Sequence, residues 1–391
     1  MVGNPPPRRG GRYFIFLKLT TACGIEGVGE IYNATFGPHL CARMAEDVFE
    51  RHFLNADPHN IEKLWRLTYG AGYTLRPDVT MMGVLSGLEM ACWDIIGKAA
   101  DQPVYNLLGG KAHERLRSYT YLYPQGDTYP PADRPNVYND PDMAAEAAAR
   151  YLDLGFTAVK FDPAGPYTIY DGHQPRLCDI DLSVRFCKRL REAVGSRADL
   201  LFGTHGQFTV SGAKRLARLL EPYDPLWFEE PVPPEMPEQM GEVARATSVP
   251  IAAGERLCTK YEFARLLDTG AASILQMNLG RVGGLLEAKK IAGMAETRYA
   301  QIAPHLYCGP IVAAANIQLA TCSPNFLILE SIERFDGFFA ELLNRPIDWQ
   351  DGYVIPPSAP GLGFELNESV ALAHPYEGKE LHLGMAPDAV V

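Results

Sequence analysis

Five short apolar runs decide the fold: LLFGTHGQF (200–208), PLWFEEP (225–231), PIAAGERL (250–257), SILQMN (273–278) and QIAPHLY (301–307). Each begins apolar and ends in a polar or charged residue. An apolar run of this length reads as a strand buried on both faces, and its polar tip as the strand's exposed C-terminal end. Helical patterns such as VSGAKRLARLLEPY (210–223) and MGEVARATS (240–248) fill the gaps. Strand and helix in alternation predict a parallel sheet, either a doubly wound α/β sheet or a closed α/β barrel. In a barrel, chemistry sits at the C-terminal ends of the strands. Those tips are His205, Glu229, Glu255, Asn278 and His305, a set suited to oxygen ligation of a metal with acid–base groups around it.

The pattern extends in both directions. Strands are expected near Leu116–Leu122, Thr157–Phe161, Asp199–Thr204, Leu226–Glu230, Ile251–Gly254, Ser273–Met277, Ala300–Pro304 and Phe326–Leu329. Eight parallel strands in this length fit a closed barrel. The first 110 residues differ, with a hairpin from YFIFLKLTT (13–21) and GIEGVGEIY (24–32) followed by three helical patterns. The last, GVLSGLEMACWDIIGKAA (83–100), is apolar on most sides and predicts a buried helix. The preceding GNPPPRRGG (3–11) reads as a mobile loop, and a strand upstream of Met1 is expected to be missing. Beyond Arg334 the chain is rich in Pro and Gly and reads as an irregular return segment.

A length of 391 residues suits one large domain and a smaller one. A formal net charge of -11 argues against nucleic acid or an anionic membrane surface as the main partner. The uninterrupted apolar runs are too short to span a bilayer, and the N-terminus lacks the apolar core of a signal peptide. Eight cysteines without C-x-x-C spacing read as free thiols in a reducing cytoplasm. Neither G-x-G-x-x-G after a strand nor a P-loop motif is present.

Positions 203, 229 and 255 are evenly spaced at 26 residues, which puts them at one height on adjacent strands. Two converging carboxylates, Glu229 and Glu255, suit a hard divalent cation. For Glu229 and its neighbour Glu230, capping or ion-pairing at a loop is the plainer role. His305 and His205 titrate near neutrality and can exchange protons. Lys160, on an apolar strand, is a ligand for a substrate carboxylate, a base, or half of a barrel ion pair. Asp162 lies two residues on and shares its face.

The motifs GVLSGLEMACWDIIGKAADQPVYNLLGG (83–110), FEEP, GERL and GRVGGLLEAKKIAGMAE (280–296) together resemble the enolase superfamily, and within it the mandelate racemase subgroup. The resemblance covers nearly the whole chain. It implies an α+β capping domain (1–112), a modified TIM barrel of (β/α)7β type (113–335) and a C-terminal segment (336–391) that returns to the cap. It implies homo-oligomers and Mg2+ held by three carboxylates at the ends of the third to fifth strands. A base would remove the α-proton of a carboxylic acid, and the metal would stabilise the enediolate. Glu229 and Glu255 match two metal ligands, and His305 matches a general acid/base. Glu330 (LILES) matches a contact to the substrate carboxylate or enediolate. His205 matches the general acid of the sugar-acid dehydratases.

Three positions depart from that pattern. The third-strand metal ligand is Gly203, the partner of the seventh-strand histidine is Asn278, and the second lysine of K-x-K is Asp162. Asp162 is therefore the candidate third ligand, with Mn2+ an alternative to Mg2+ if His205 joins the site. GTHGQ, KFDPAGPYT and QMNLGRVGG resemble the branch of galactonate-type dehydratases and 3,6-anhydro-L-galactonate cycloisomerases. The substrate expected is a sugar acid. The runners-up are a racemase or epimerase and a sugar-acid-binding relic. Arg12, Tyr13, Tyr167 and His173, on loops expected to close over the sugar, are candidate hydroxyl contacts.

Overall fold

A computed structural model describes residues 1–131, 133–164 and 172–383. Three antiparallel strands, β1 (Val2–Gly3), β2 (Tyr13–Thr20) and β3 (Glu26–Ile31), form the sheet of an N-terminal lobe. Gly3, the first residue of the expected loop (3–11), pairs with Tyr13, and Val2 before it pairs with Phe14. The loop that follows is held down at several points. Arg8 pairs with Asp127, while Arg9 reaches Glu333, Thr128 and the Pro124 carbonyl. The two arginines tie this Pro- and Gly-rich segment to the barrel loops.

Eight parallel strands follow: β4 (Leu116–Tyr121), β5 (Ala158–Phe161), β6 (Asp199–Gly203), β7 (Trp227–Glu229), β8 (Ile251–Ala253), β9 (Ile274–Leu275), β10 (Gln301–Ile302) and β11 (Leu329–Ser331). They pair in sequence order from β4 to β10. β11 pairs with β4, and a bridge from Ile302 to Phe326 ties β10 to the chain just before β11, so the ring closes. The eighth strand was expected at Phe326–Leu329 and lies three residues later at its start.

One residue from each strand or its edge builds a floor inside the ring: Tyr119, Ala158, Leu201, Trp227, Ala252, Ile274, Ala303 and Ile328. Three are alanines, which leaves room for Trp227 and Tyr119, whose rings meet edge-on at 5.3 Å. The alternate residues, such as Val159, Phe202, Phe228 and Leu275, face the surrounding helices.

By length and composition the 21 residues of the helix Val79–Ala99 are enough to cross a membrane, although no uninterrupted apolar run in it is. Here it is buried in the protein. Ser86, Glu89 and Asp94 break the apolar run in the sequence, and each finds a partner inside the fold. Glu89 accepts from the backbone N–H groups of Leu285 (2.7 Å) and Leu286 (2.9 Å), at the start of the barrel helix Leu285–Glu296. Glu30 of β3 accepts from Gly309, Ile311 and Val312 at the start of the helix Pro310–Thr321. Two carboxylates of the lobe thus meet the positive ends of two barrel helices.

Glu30→Ala leaves three buried donors without an acceptor, so the unfolding free energy should fall by about 3 kcal/mol. Urea unfolding checks this, and an unchanged midpoint would mean that Glu30 does not join the two parts.

Candidate active site

The site is the layer two residues above the floor. Strand alternation sets Tyr121, Lys160, Gly203, Glu229, Gln276, His305 and Glu330 above Tyr119, Ala158, Leu201, Trp227, Ile274, Ala303 and Ile328. On β8 the expected position is Gly254, whose φ of +131° lies in the region that favours glycine. A Cβ there would stand 2.7 Å from the Phe263 ring. The chain turns at this glycine, and the next residue, Glu255, reaches the site.

Lys160 Nζ donates to Glu229 Oε1 at 2.5 Å and lies 3.8 Å from Glu330 Oε1. The other oxygen of Glu229 accepts from Trp227 Nε1 (3.0 Å) and Gln276 Nε2 (2.7 Å). Asp162 Oδ2 stands 2.5 Å from His205 Nδ1, and His205 Nε2 is 3.9 Å from Glu255 Oε1. His305 Nε2 is 3.3 Å from Glu255 Oε2 and 4.0 Å from Glu330 Oε2. His305 Nδ1 meets Asn278 Nδ2 at 2.8 Å. Glu330 also accepts from the Leu306 N–H. Four carboxylates and three basic groups thus share one end of the barrel.

Burial opposes charge on Lys160, but Glu229, Glu330 and Glu255 outweigh it and raise its pKa above the lysine value. Burial also disfavours the His205 imidazolium, yet Asp162 and Glu255 raise that group to about 9. His305 differs, because burial, only partly opposed by Glu255, lowers it to about 3. In the metal-free protein near pH 7, these shifts favour cationic Lys160 and His205 and a neutral His305.

The donor chemistry fits a hard divalent cation. Glu255 Oε2 is buried and accepts no hydrogen bond. A Cβ built on Gly203, where the third metal ligand is expected, stands 3.6 Å from Asp162 Oδ2 and 3.4 Å from Lys160 Cε. The carboxylate of Asp162 therefore lies beside the space that a side chain at position 203 would enter. Among the described residues, no group of three His, Cys, Asp or Glu side chains already converges on one point.

The structure brings Lys160, Asp162, His205, Glu229, Glu255, Asn278, His305 and Glu330 together. The loop candidates are placed otherwise. Tyr13 is buried between the rings of Tyr376 and His382. Arg12 lies over the Tyr129 ring at 4.5 Å and donates to the Leu381 carbonyl. His173 exchanges backbone hydrogen bonds with Gln207 and Thr209, just beyond His205. Tyr167 lies outside the described residues. Sequence reasoning missed Trp227 and Gln276, which hold Glu229, although each precedes a named tip by two positions. It also missed Arg281, stacked 3.9 Å over the ring of Tyr32, which comes from the lobe. No local signal in the sequence marks that pair.

Residues 9–109 match the mandelate racemase / muconate lactonizing enzyme N-terminal domain, and residues 142–370 match the enolase C-terminal domain-like model. The chain belongs to this family of the enolase superfamily and is an enzyme. The family generally uses Mg2+. The chain is 34% identical to D-xylonate dehydratase of Haloferax volcanii, over 95% of this chain and 88% of that one. It is also 34% identical to D-galactonate dehydratase of Ralstonia nicotianae, over 94% and 91%. A crystal structure from Labrenzia alexandrii DFL-11, described as a mandelate racemase/muconate lactonizing enzyme, superposes with a TM-score of 0.95. It is 76% identical and covers 98% of this chain and 97% of its own.

Despite burial, Asp162 and Glu255 hold His205 at about 9, against 6.5 for an ordinary imidazole. A raised folded value means stabilisation that is full below the unfolded pKa and lost as pH rises through the folded one. The metal-free protein should therefore lose stability between about pH 6.5 and 9, and Asp162→Asn should flatten that slope. Urea unfolding across the window tests it, and equal slopes in the two proteins would contradict the pairing.

Proposed function

We propose that this enzyme removes the α-proton of an aldonate-type sugar acid and expels the β-oxygen, giving a 2-keto-3-deoxy sugar acid. One observation carries the reading. An imidazolium, His205, is held by Asp162 at 2.5 Å beside the carboxylate cluster that also contains Lys160 and His305. A leaving oxygen needs a proton donor, and a general acid charged at neutral pH supplies one. The names of the two dehydratase relatives point to the same class.

Glu229, Glu255 and Asp162 would hold the metal, with Asp162 in place of the carboxylate absent at Gly203. Mg2+ bound there would polarise the substrate carboxylate and stabilise the charge of the enediolate. Glu330 faces the substrate carboxylate with its orientation fixed by the Leu306 N–H. Lys160, as the free amine, and His305 are the two candidate acceptors of the α-proton. As the β C–O bond breaks, its electron pair leaves with the oxygen, which takes the proton from His205. The resulting enol then tautomerises to the ketone. With a hydroxyl as leaving group the reaction is a dehydration. With a ring ether it is the cycloisomerisation of 3,6-anhydro-L-galactonate, which the variant motifs around Gly203 and Asn278 favour.

A panel of aldonates and the anhydro acid, incubated with enzyme and Mg2+ in D2O, decides between these. A 2-keto-3-deoxy product carrying solvent deuterium at C3 is expected from the anhydro acid or from at least one aldonate. Product from the anhydro acid alone would assign the cycloisomerase. Neither product nor α-proton exchange with any of them would overturn the reading.

A further inference from the structure

His305 has neighbours that fix more than its position. Asn278 is fully buried. Its Oδ1 accepts from the Gly280 backbone N–H at 2.8 Å. A backbone N–H can only donate, so that atom must be the oxygen, and the amide orientation is settled by chemistry. The Nδ2 group is then the one facing His305 Nδ1 at 2.8 Å, and it also reaches Cys308 Sγ at 3.8 Å. Flipping the amide would set its oxygen toward Cys308 and its NH2 against the Gly280 N–H. The backbone at His305 is held as well, because Asn316 donates to the His305 carbonyl and the His305 backbone N–H donates to the Met277 carbonyl.

An amide NH2 can only donate, so His305 Nδ1 must present its lone pair. In a neutral imidazole one nitrogen donates and the other accepts. The proton then sits on Nε2, the nitrogen that faces Glu255 Oε2 at 3.3 Å and Glu330 Oε2 at 4.0 Å. An aspartate at position 278 would do the opposite. It would accept Nδ1–H and leave Nε2 with the lone pair, which is the arrangement a base needs.

We propose that Asn278 is a positioning residue that locks His305 as the Nε2–H tautomer, so that His305 donates a hydrogen bond into the site and does not remove the α-proton. The consequence for catalysis rests on the enolisation reading above, and the tautomer itself does not. His305 then stabilises the oxygen on which negative charge develops, and Lys160 takes the α-proton only as the free amine, once its own proton has been released. One amide for one carboxylate, with no change in shape, converts a base into a donor.

Nitrogen NMR of the metal-free full chain, labelled with 15N-histidine, reads the tautomer directly. In the wild type, His305 should show an unprotonated Nδ1 and a protonated Nε2 at neutral pH. In Asn278→Asp the two should exchange. A protonated Nδ1 in the wild type would overturn the proposal, and that spectrum needs no variant to fold. Kinetics give a second reading. Glutamine donates a hydrogen bond but cannot take a proton at neutral pH, so His305→Gln should keep activity within about tenfold while His305→Ala loses about 100-fold or more. Equal loss in both, with the Ala and Gln proteins folded, would return the base role to His305. A wild-type Nε2–H signal without turnover of any sugar acid would refute the function and leave the tautomer standing.

Discussion

Lys160 and Glu229 meet at 2.5 Å with each side chain only 2% exposed, and the rest of the site is arranged around that pair. Buried ions are costly, and a buried pair seldom repays its desolvation as stability. This one sits among three further carboxylates, Asp162, Glu255 and Glu330. The ammonium is the nearest positive charge to Glu229, and the imidazolium of His205 serves Asp162 and Glu255. Such a concentration of negative charge would repel a sugar-acid carboxylate unless further positive charge is brought in. The same surplus is what a divalent cation satisfies.

The barrel makes this possible by its small residues as much as by its charged ones. Ala158, Ala252 and Ala303 leave the floor wide enough for Trp227 and Tyr119. Trp227 then points its indole N–H up at Glu229 and helps to fix that carboxylate. Gly203 leaves open the space beside which Asp162 lies. Glu30 and Glu89 dock the lobe on two barrel helices and so carry Tyr32 to Arg281 at the rim of the site. Packing, capping and catalysis are steps of one construction.

The sequence showed the strand tips because a polar residue ends each apolar run, and burial on both faces of a parallel strand leaves no other reading of that contrast. Glu229, Glu255, Asn278 and His305 were found that way. The exchange of Gly203 and Asp162 was visible only against the family pattern. Pairing was not visible at all. Lys160 and Asp162 share a face, yet one reaches Glu229 and the other His205, because partners across a barrel are set by ring closure and not by spacing along the chain. The orientation of Asn278 was hidden for a similar reason, since it depends on a backbone N–H two residues later after the chain has turned. The helix Val79–Ala99 was legible as buried over 83–100, and only its first turn, capped by Asp78, was missed.

The central claim is that Asp162 supplies the carboxylate that Gly203 lacks. Mg2+ titration by calorimetry on the wild type, Asp162→Asn and the double variant Asp162→Asn/Gly203→Asp tests it directly. The Cβ of an aspartate at 203 meets only ordinary contacts, so the double variant should fold. The account predicts a loss of Mg2+ affinity of about tenfold or more in Asp162→Asn and its recovery in the double variant. Unchanged affinity in Asp162→Asn would contradict it.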